Sequence, residues 1–171
     1  MNFPKRKNIR LKDFDYSSQG SYFITFCLQN KKKLLSKIHV GAIHESPEVE
    51  LTEYGKAVET VIDTIEKRFG VKVDTYVIMP NHAHILITIN ENLNRAIHES
   101  PLRDGRSVIS KIVGYVKMNS SKAIHLFDPD LKLWQRSYYD HIIRNDADYL
   151  EKADYILTNP AKWQEDEYFI Q

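Results

Sequence analysis

The order of predicted strands and helices is that of an α+β protein with a ferredoxin-like split βαβ arrangement. One helical pattern lies between the first strand and a central hairpin, and another lies between that hairpin and the last strand. Pro80-Asn81 marks the turn of the hairpin, and a further helix follows the last strand. These observations predict an antiparallel central sheet with an added C-terminal helix, in a single domain that spans residues 1–171.

The first half of the chain supplies two extended segments and a helix. Gly20–Asn30 is rich in aromatic and β-branched residues, which favours a strand. Ile38–Ile43 is a second extended segment. Leu51–Phe69 carries apolar residues at helical spacing, with Thr52 as a candidate N-cap and Gly70 as a candidate C-terminal stop.

The second half contains the hairpin, a polar loop over residues 90–105 and two more helices. The last helix is acidic at its start, which the helix dipole favours, and Pro160 ends it. The predicted elements are the strands Val71–Met79 and His82–Ile89, the helix Ser107–His125, the strand Tyr138–Ile143 and the helix Asp146–Asn159.

The charges nearly cancel over the whole chain, with 24 Lys and Arg against 23 Asp and Glu, but they are unevenly distributed. Residues 1–40 hold nine basic and two acidic residues, and residues 145–171 hold two basic and seven acidic ones. The excess of basic residues near the N-terminus is a weak indication of a polyanionic partner. The simpler interpretation is that residues 1–15 form a basic arm that is only solvated. A single cysteine excludes a disulfide scaffold, and no apolar run is long enough for a membrane span.

The most informative motif is His82-Ala83-His84 at the start of the second hairpin strand. Side chains alternate between the two faces of a strand, so His82 and His84 point the same way while Ala83 and Ile85 face the helix layer. Two adjacent imidazoles can bind a metal ion. Two polar side chains on an open sheet face are the alternative interpretation, because two ligands alone do not make a site.

The last helix offers candidates for a third ligand and a nucleophile. Tyr155 and Asn159 lie four residues apart and therefore on one face of the helix. The predicted core stripe is Leu150, Ala153 and Leu157, and Tyr155 lies about 200° around the helix from Ala153. A tyrosine beside a bound cation can attack a phosphodiester. The simpler interpretations are that Tyr155 packs locally and that Asn159 caps the C-terminus of the helix.

These residues resemble those of the single-tyrosine HUH transposases, specifically the REP-associated tyrosine transposase branch. The resemblance covers nearly the whole chain. It is carried by Gly20–Thr25, Val77–His84, Trp134–Asn145 and Asp154–Pro160, in that order.

The resemblance implies a metal-dependent DNA transposase that nicks and transfers single-stranded or hairpin DNA. Tyr155 would form a 5′-phosphotyrosine intermediate, and His82, His84 and Asn159 would hold Mg²⁺ or Mn²⁺. The partners would be single-stranded or palindromic hairpin DNA and, in a homodimer, a second copy of the chain. The expected location is the cytoplasm, in association with the nucleoid, without a membrane partner.

Candidate DNA contacts combine cations for phosphates with aromatic faces for unstacked bases. Lys117 is the leading candidate for a DNA contact on the second helix, since members of the family often carry a lysine at this position. For Trp134, a place in the core is the simpler interpretation. The main candidates are Lys117, Lys111, Arg136, Trp134, Tyr138, Lys5, Arg6, Lys7 and Arg10, and the further basic candidates are Lys12, Lys31–Lys33 and Lys122.

Two other functions remain open from the sequence. The first is a non-catalytic nucleic-acid-binding module on the same fold, and the presence of all four residues Tyr155, His82, His84 and Asn159 speaks against a decayed site. The second is a metal-dependent phosphodiesterase that uses activated water and forms no covalent intermediate.

The hexapeptide Ala-Ile-His-Glu-Ser-Pro occurs twice, at residues 42–47 and 96–101. The codons GCG-ATT-CAT-GAA-TCG-CC encode it, and with a preceding G they form the string GGCGATTCATGAATCGCC, which is its own reverse complement. The two copies are therefore candidates for palindromic DNA elements embedded in loop-coding parts of the gene, and chance duplication or selection of the peptide itself is the alternative. Synonymous codons that break this symmetry would contradict the hypothesis.

Overall fold

The fold is an antiparallel sheet with helices on both faces. The computed structural model describes residues 15–39, 47–90 and 106–169. The strands are β1 (Gly20–Cys27), β2 (Ser36–His39), β3 (Glu48–Leu51), β4 (Lys72–Ile78), β5 (His82–Ile89) and β6 (Tyr139–Ile142). The helices are α1 (Glu53–Ile62), α2 (Ile65–Phe69), α3 (Val108–Ile124) and α4 (Asp146–Thr158), with short 3₁₀ turns at Gln29–Lys31 and Trp163–Glu165.

The main sheet has the strand order β4-β5-β1-β6, and all its neighbouring strands are antiparallel. This is the order of a ferredoxin-like split βαβ fold, so the predicted fold class is confirmed. Strands β2 and β3 form a separate hairpin. In the main sheet, Thr25 of β1 lies opposite His84 of β5, which brings the centre of β1 next to the histidine motif.

The two faces of β5 have different surroundings, as the alternation of its side chains predicts. Ala83, Ile85, Ile87 and Ile89 are buried in the main core together with residues of α1 and α3. On the opposite face, Leu86 packs in a small second cluster with Phe23 of β1 and Ile156 of α4. The main helices therefore cover one face of the sheet, while α4 covers the face that carries the histidines.

The ends of the helices follow from local capping. The side chain of Thr52 accepts a hydrogen bond from the Gly55 amide, and that of Ser107 accepts one from the Ser110 amide. Gly70 ends α2 with a positive φ of 67°, a conformation that glycine adopts without strain. The predicted N-cap at Thr52 and the predicted stop at Gly70 are both present.

The prediction of one continuous helix over Leu51–Phe69 is wrong in two respects. Leu51 is the last residue of β3, because it pairs with Ser36 in the small hairpin. The helix is also interrupted at Asp63 and Thr64, where the Thr64 hydroxyl donates to the Val61 carbonyl at 2.7 Å. Such a side-chain bond to the backbone competes with helix continuation, and apolar periodicity does not reveal it.

Some predictions lie outside the described residues. They concern the arm over residues 1–14, which includes Lys5, Arg6, Lys7 and Arg10, and nearly all of both hexapeptide copies. The predicted loop over residues 90–105 is described only at Asn90. Within the described ranges, no helix has the length and apolar character that crossing a membrane requires.

Candidate active site

The two histidines lie side by side on β5, beneath α4 and the segment that follows it. His82 and His84 are 0% and 1% exposed, so they do not lie on an open sheet face. Their Nε2 atoms face each other at 2.9 Å, and the ring centroids are 4.5 Å apart. The chain therefore buries two imidazoles with their Nε2 atoms in contact.

Hydrogen bonds on the far side of each ring orient the imidazoles. Asn81 Oδ1 accepts from His82 Nδ1 at 2.8 Å, and the Asn81 amide nitrogen donates to the Tyr168 carbonyl at 2.8 Å. His84 Nδ1 lies 2.7 Å from the Thr25 hydroxyl, which can donate or accept. In this arrangement His82 Nε2 accepts from His84 Nε2. A change of tautomer at His84, with its Nδ1 donating to Thr25, leaves both Nε2 lone pairs available.

Burial keeps both rings neutral. It lowers the pKa of His82 to about 3, and the positive charge of Lys31 contributes in the same direction. The pKa of His84 is also lowered well below its usual value, first by burial and then by His82. Neutral imidazoles carry the free lone pair that a metal ligand needs.

Helix α4 does not pack on the predicted stripe. Leu150 and Leu157 are 66% and 71% exposed, whereas Ile156 is buried against the sheet and Tyr149 and Ala153 pack beside it. The predicted stripe is therefore wrong at Leu150 and Leu157, whereas Ala153 packs on the sheet as predicted. Apolar periodicity allowed two neighbouring stripes on α4, and the contacts with Phe23 and Leu86 decide between them.

This orientation brings Tyr155 onto the histidine face of the sheet. Its ring makes edge contacts with Phe23 and His84, at centroid distances of 5.9 and 5.2 Å. Its hydroxyl donates to Asp166 Oδ2 at 3.1 Å. Burial raises the pKa of Tyr155 above its usual range, and the charge of Asp166 and its hydrogen bond add to the effect. The phenol is therefore protonated at neutral pH.

Asn159 lies one turn beyond Tyr155, and its backbone amide donates to the Tyr155 carbonyl at 2.9 Å. The residue is only 2% exposed. Its Nδ2 donates to Asp166 Oδ2 at 2.7 Å, while its Oδ1 has no hydrogen-bond partner among the described residues. A buried amide oxygen without a donor is costly unless another group, such as a cation, satisfies it.

Sequence reasoning missed Asp166 and Asn81. After Pro160 the chain turns back, and Glu165, Asp166 and Glu167 line the same cleft as Tyr155. Asp166 belongs to no periodic pattern, so no local signal marks it. Asn81 directly precedes the histidine motif, and this position was its only signal in the sequence.

An open cleft of about 510 Å³ leads to the site. His84, Tyr155 and Asp166 line it, together with Tyr139 of β6 and Lys152 of α4. The cleft therefore has the candidate nucleophile, the buried His84 and a lysine in its walls.

The residues around the histidines fit a divalent cation. Ligand atoms of His82, His84 and Asp166 all lie within 4.8 Å of one another. Imidazole nitrogens, a carboxylate and an unpaired amide oxygen from Asn159 are a mixed nitrogen and oxygen donor set that suits such ions. Two observations support the fit of these residues to a divalent cation: the mixed donor set and the unpaired Oδ1 of Asn159.

The candidate DNA contacts on and near α3 lie away from this cleft or make internal contacts. The Lys117 ammonium donates to the carbonyls of Gln135 and Ser137 at 2.9 and 2.8 Å. Trp134 packs on Phe26, and its indole donates to Ser120 at 2.9 Å. Their roles as DNA contacts stay predictions.

The remaining candidates differ in exposure. Arg136 is exposed and Lys111 is half-buried. The Tyr138 hydroxyl lies 3.1 Å from that of Ser110. His141 is not part of the histidine pair, because its Nε2 contacts both carboxylate oxygens of Asp148 at 2.9 Å.

Fold and site together define a class of protein. It is a ferredoxin-like domain in which a strand with a His-x-His motif and a helix with a tyrosine and an amide meet on one face of an antiparallel sheet. The chain belongs to the IS200-like transposase family, whose family model, described as "Transposase IS200 like", matches residues 16–100.

The chain is also similar to individual known proteins. A Haemophilus influenzae protein described only as uncharacterized is 33% identical, over 96% of this chain and 93% of its own length. The REP-associated tyrosine transposase of Escherichia coli K12 is 24% identical, over 86% of this chain and 70% of its own length. A solved structure of a REP-associated tyrosine transposase bound to a REP hairpin has a TM-score of 0.60 and 22% identity, over 90% of this chain and 73% of that one, and this likeness shows the shared fold.

Proposed function

We propose that this protein is a metal-dependent DNA strand transferase in which Tyr155 is the nucleophile. It would cut single-stranded or hairpin DNA and hold the 5′ end as a phosphotyrosine ester. The observation that carries the proposal is that Tyr155 and His84 line one cleft, while the buried His82 contacts His84 and the buried Asn159 donates to Asp166 in the cleft wall. DNA as the partner is supported by family membership and by the REP hairpin in the similar solved structure.

Each side chain has a distinct part in this chemistry. The Tyr155 oxygen forms the new bond to phosphorus while the bond from phosphorus to the 3′ oxygen of the preceding nucleotide breaks, which frees a 3′-hydroxyl. The phenolic proton already points at Asp166, which lies at hydrogen-bonding distance. Phe23 and His84 stack on each other, and both rings contact the tyrosine ring and so restrict its orientation.

A divalent cation would be held by His82, His84 and Asn159. When bound, it would supply positive charge to the phosphate oxygens and so favour attack. Asn81 and Thr25 orient the two imidazoles for this task through hydrogen bonds to their Nδ1 atoms. Lys152, in the wall of the same cleft, can neutralise a backbone phosphate.

The test is the formation of a covalent protein–DNA adduct on a denaturing gel. Wild-type protein is incubated with Mn²⁺ and labelled single-stranded hairpin oligonucleotides taken from the surroundings of its own gene. We expect an adduct with the wild type and none with Tyr155→Phe, because phenylalanine lacks the attacking oxygen.

Tyr139→Phe is the matched control. Tyr139 lines the same cleft and is 40% exposed, so its loss removes one hydroxyl from the same wall. The control should form the adduct at the wild-type level. Cleavage that survives in Tyr155→Phe without an adduct would instead favour a phosphodiesterase that uses activated water, and binding without cleavage would favour a non-catalytic module.

A further inference from the structure

Asp166 lies at the histidine pair although it is far from it in sequence. The chain leaves α4, makes the 3₁₀ turn Trp163–Glu165 and places the carboxylate next to the imidazoles. One carboxylate oxygen of Asp166 lies within 4.8 Å of a ring nitrogen of each histidine. The carboxylate is therefore close enough to share a cation with both rings.

The segment that carries Asp166 is anchored on both sides of it. The Trp163 and Tyr168 rings lie 5.9 and 4.6 Å from the His82 ring. The Tyr168 amide donates to Asp166 Oδ1 at 2.6 Å, and the Tyr168 carbonyl accepts from Asn81. The position of the carboxylate is thus coupled to the residues that orient His82.

The charge of Asp166 has no cationic partner in the described part of the chain, where no salt bridge includes it. Its Oδ2 accepts two hydrogen bonds, from the Tyr155 hydroxyl and from Asn159 Nδ2. Asn159 in turn keeps a buried Oδ1 that is unpaired within the ranges described. A carboxylate and an amide oxygen that lacks a donor are thus both oxygen ligands of the kind that a divalent cation binds.

We propose that Asp166 is a further ligand of the divalent cation, so that the segment after α4 completes the metal centre on β5. The inference rests on the proposed metal dependence and adds a carboxylate to the two histidines and the amide. Because Asp166 also holds Tyr155 and Asn159, one side chain connects the cation site to the nucleophile.

The test measures Mn²⁺ binding without DNA, by isothermal titration calorimetry on the full chain. Asp166→Asn keeps an oxygen that can accept from Tyr155 and Asn159, but it removes the charge and replaces the acceptor of the Tyr168 amide by an NH₂ group. We expect Asp166→Asn to bind Mn²⁺ about tenfold more weakly or worse, the scale on which loss of a group supporting a metal lowers affinity. Glu165→Gln removes a charge from the same cleft and should stay close to the wild-type affinity.

Two controls show whether weaker binding comes from a folding defect. They are the variant Asp166→Glu and the thermal unfolding of each variant without metal. The glutamate variant retains a carboxylate and should bind Mn²⁺ more tightly than Asp166→Asn. Wild-type or tighter affinity in Asp166→Asn would overturn the inference, as would a wild-type protein that does not bind Mn²⁺. Since DNA is absent, the result is independent of whether Tyr155 forms the covalent adduct.

Discussion

At the residue scale, the Thr25 hydroxyl gives His84 a partner in either tautomer. Its Oγ1 lies 2.7 Å from His84 Nδ1, and a hydroxyl can donate in the metal-free state and accept when Nε2 is needed as a ligand. Valine has nearly the same shape but can do neither. In the proposed metal site, the hydroxyl would therefore support His84 without being a ligand itself.

We predict that Thr25→Val weakens Mn²⁺ binding by about tenfold, because the tautomer that ligates the ion loses its hydrogen-bond acceptor. Calorimetric titration measures the effect. Ser21→Ala is the control, since Ser21 is on the same strand and its hydroxyl contacts Thr88 at 2.7 Å, away from the histidines. Equal affinity of Thr25→Val and wild type would show that Thr25 has no such role.

The residues of the site were predictable from sequence to the extent that their spacing is local. His82 and His84 share a strand face, and Tyr155 and Asn159 share a helix face, so simple periodicity finds both pairs. Asp166 could not be found in this way. Its place depends on how the chain returns after Pro160 and packs Trp163 on His82, which is a tertiary contact.

At the element scale, helix α1 packs so closely on a neighbouring loop that glycine is required. A Cβ added at Gly55 would overlap the carbonyl oxygen of Leu35 and come within 3.2 Å of the Leu51 side chain. That carbonyl accepts the Thr52 amide at 3.0 Å, so it is not free to move aside. Gly114 on α3, by contrast, has open space around its Cβ position.

We predict opposite effects for the two alanine substitutions. Gly55→Ala should lower the free energy of unfolding by about 1–3 kcal/mol, the usual cost of overpacking. Gly114→Ala should raise it by about 0.5–1 kcal/mol, because alanine favours an exposed helix interior over glycine. Urea denaturation followed by circular dichroism measures both. A Gly55→Ala variant as stable as wild type would contradict the close packing of α1.

The helices also show which features the periodicity of apolar residues predicts and which it does not. It placed α3 and α4 correctly to within about one residue at their ends, and it gave the two faces of β5. It failed for the buried side of α4, because apolar residues at Leu150 and Leu157 compete with the pair Tyr149 and Ile156. Only the small cluster with Phe23 and Leu86 distinguishes these faces.

At the scale of the whole molecule, the net charge of +1 does not describe the surface that would meet DNA. Lys152 lies in the cleft wall beside Tyr155, while Lys122 is exposed on α3, across the sheet from the histidines. Sequence reasoning favoured Lys117 of α3, because members of the family that the sequence resembles often carry a lysine there. The cleft favours Lys152, which was not among the predicted contacts.

Substitution of each lysine by glutamine separates these two surfaces. We predict that Lys152→Gln weakens binding of single-stranded DNA and reduces the slope of log affinity against log salt by roughly 0.7, the value for one phosphate contact on a single strand. Lys122→Gln should leave both quantities unchanged. Fluorescence anisotropy at several salt concentrations gives them. The reverse pattern would place the DNA on the face of α3.

The central claim concerns one bond, between the Tyr155 oxygen and a DNA phosphate. The most direct measurement is peptide mass spectrometry of the adduct after nuclease and protease digestion, using oligonucleotides labelled at one end. We predict that the peptide containing Tyr155 carries the additional mass of a nucleotide, attached through its 5′ phosphate. Attachment to another residue, or cleavage without any attached nucleotide, would contradict it.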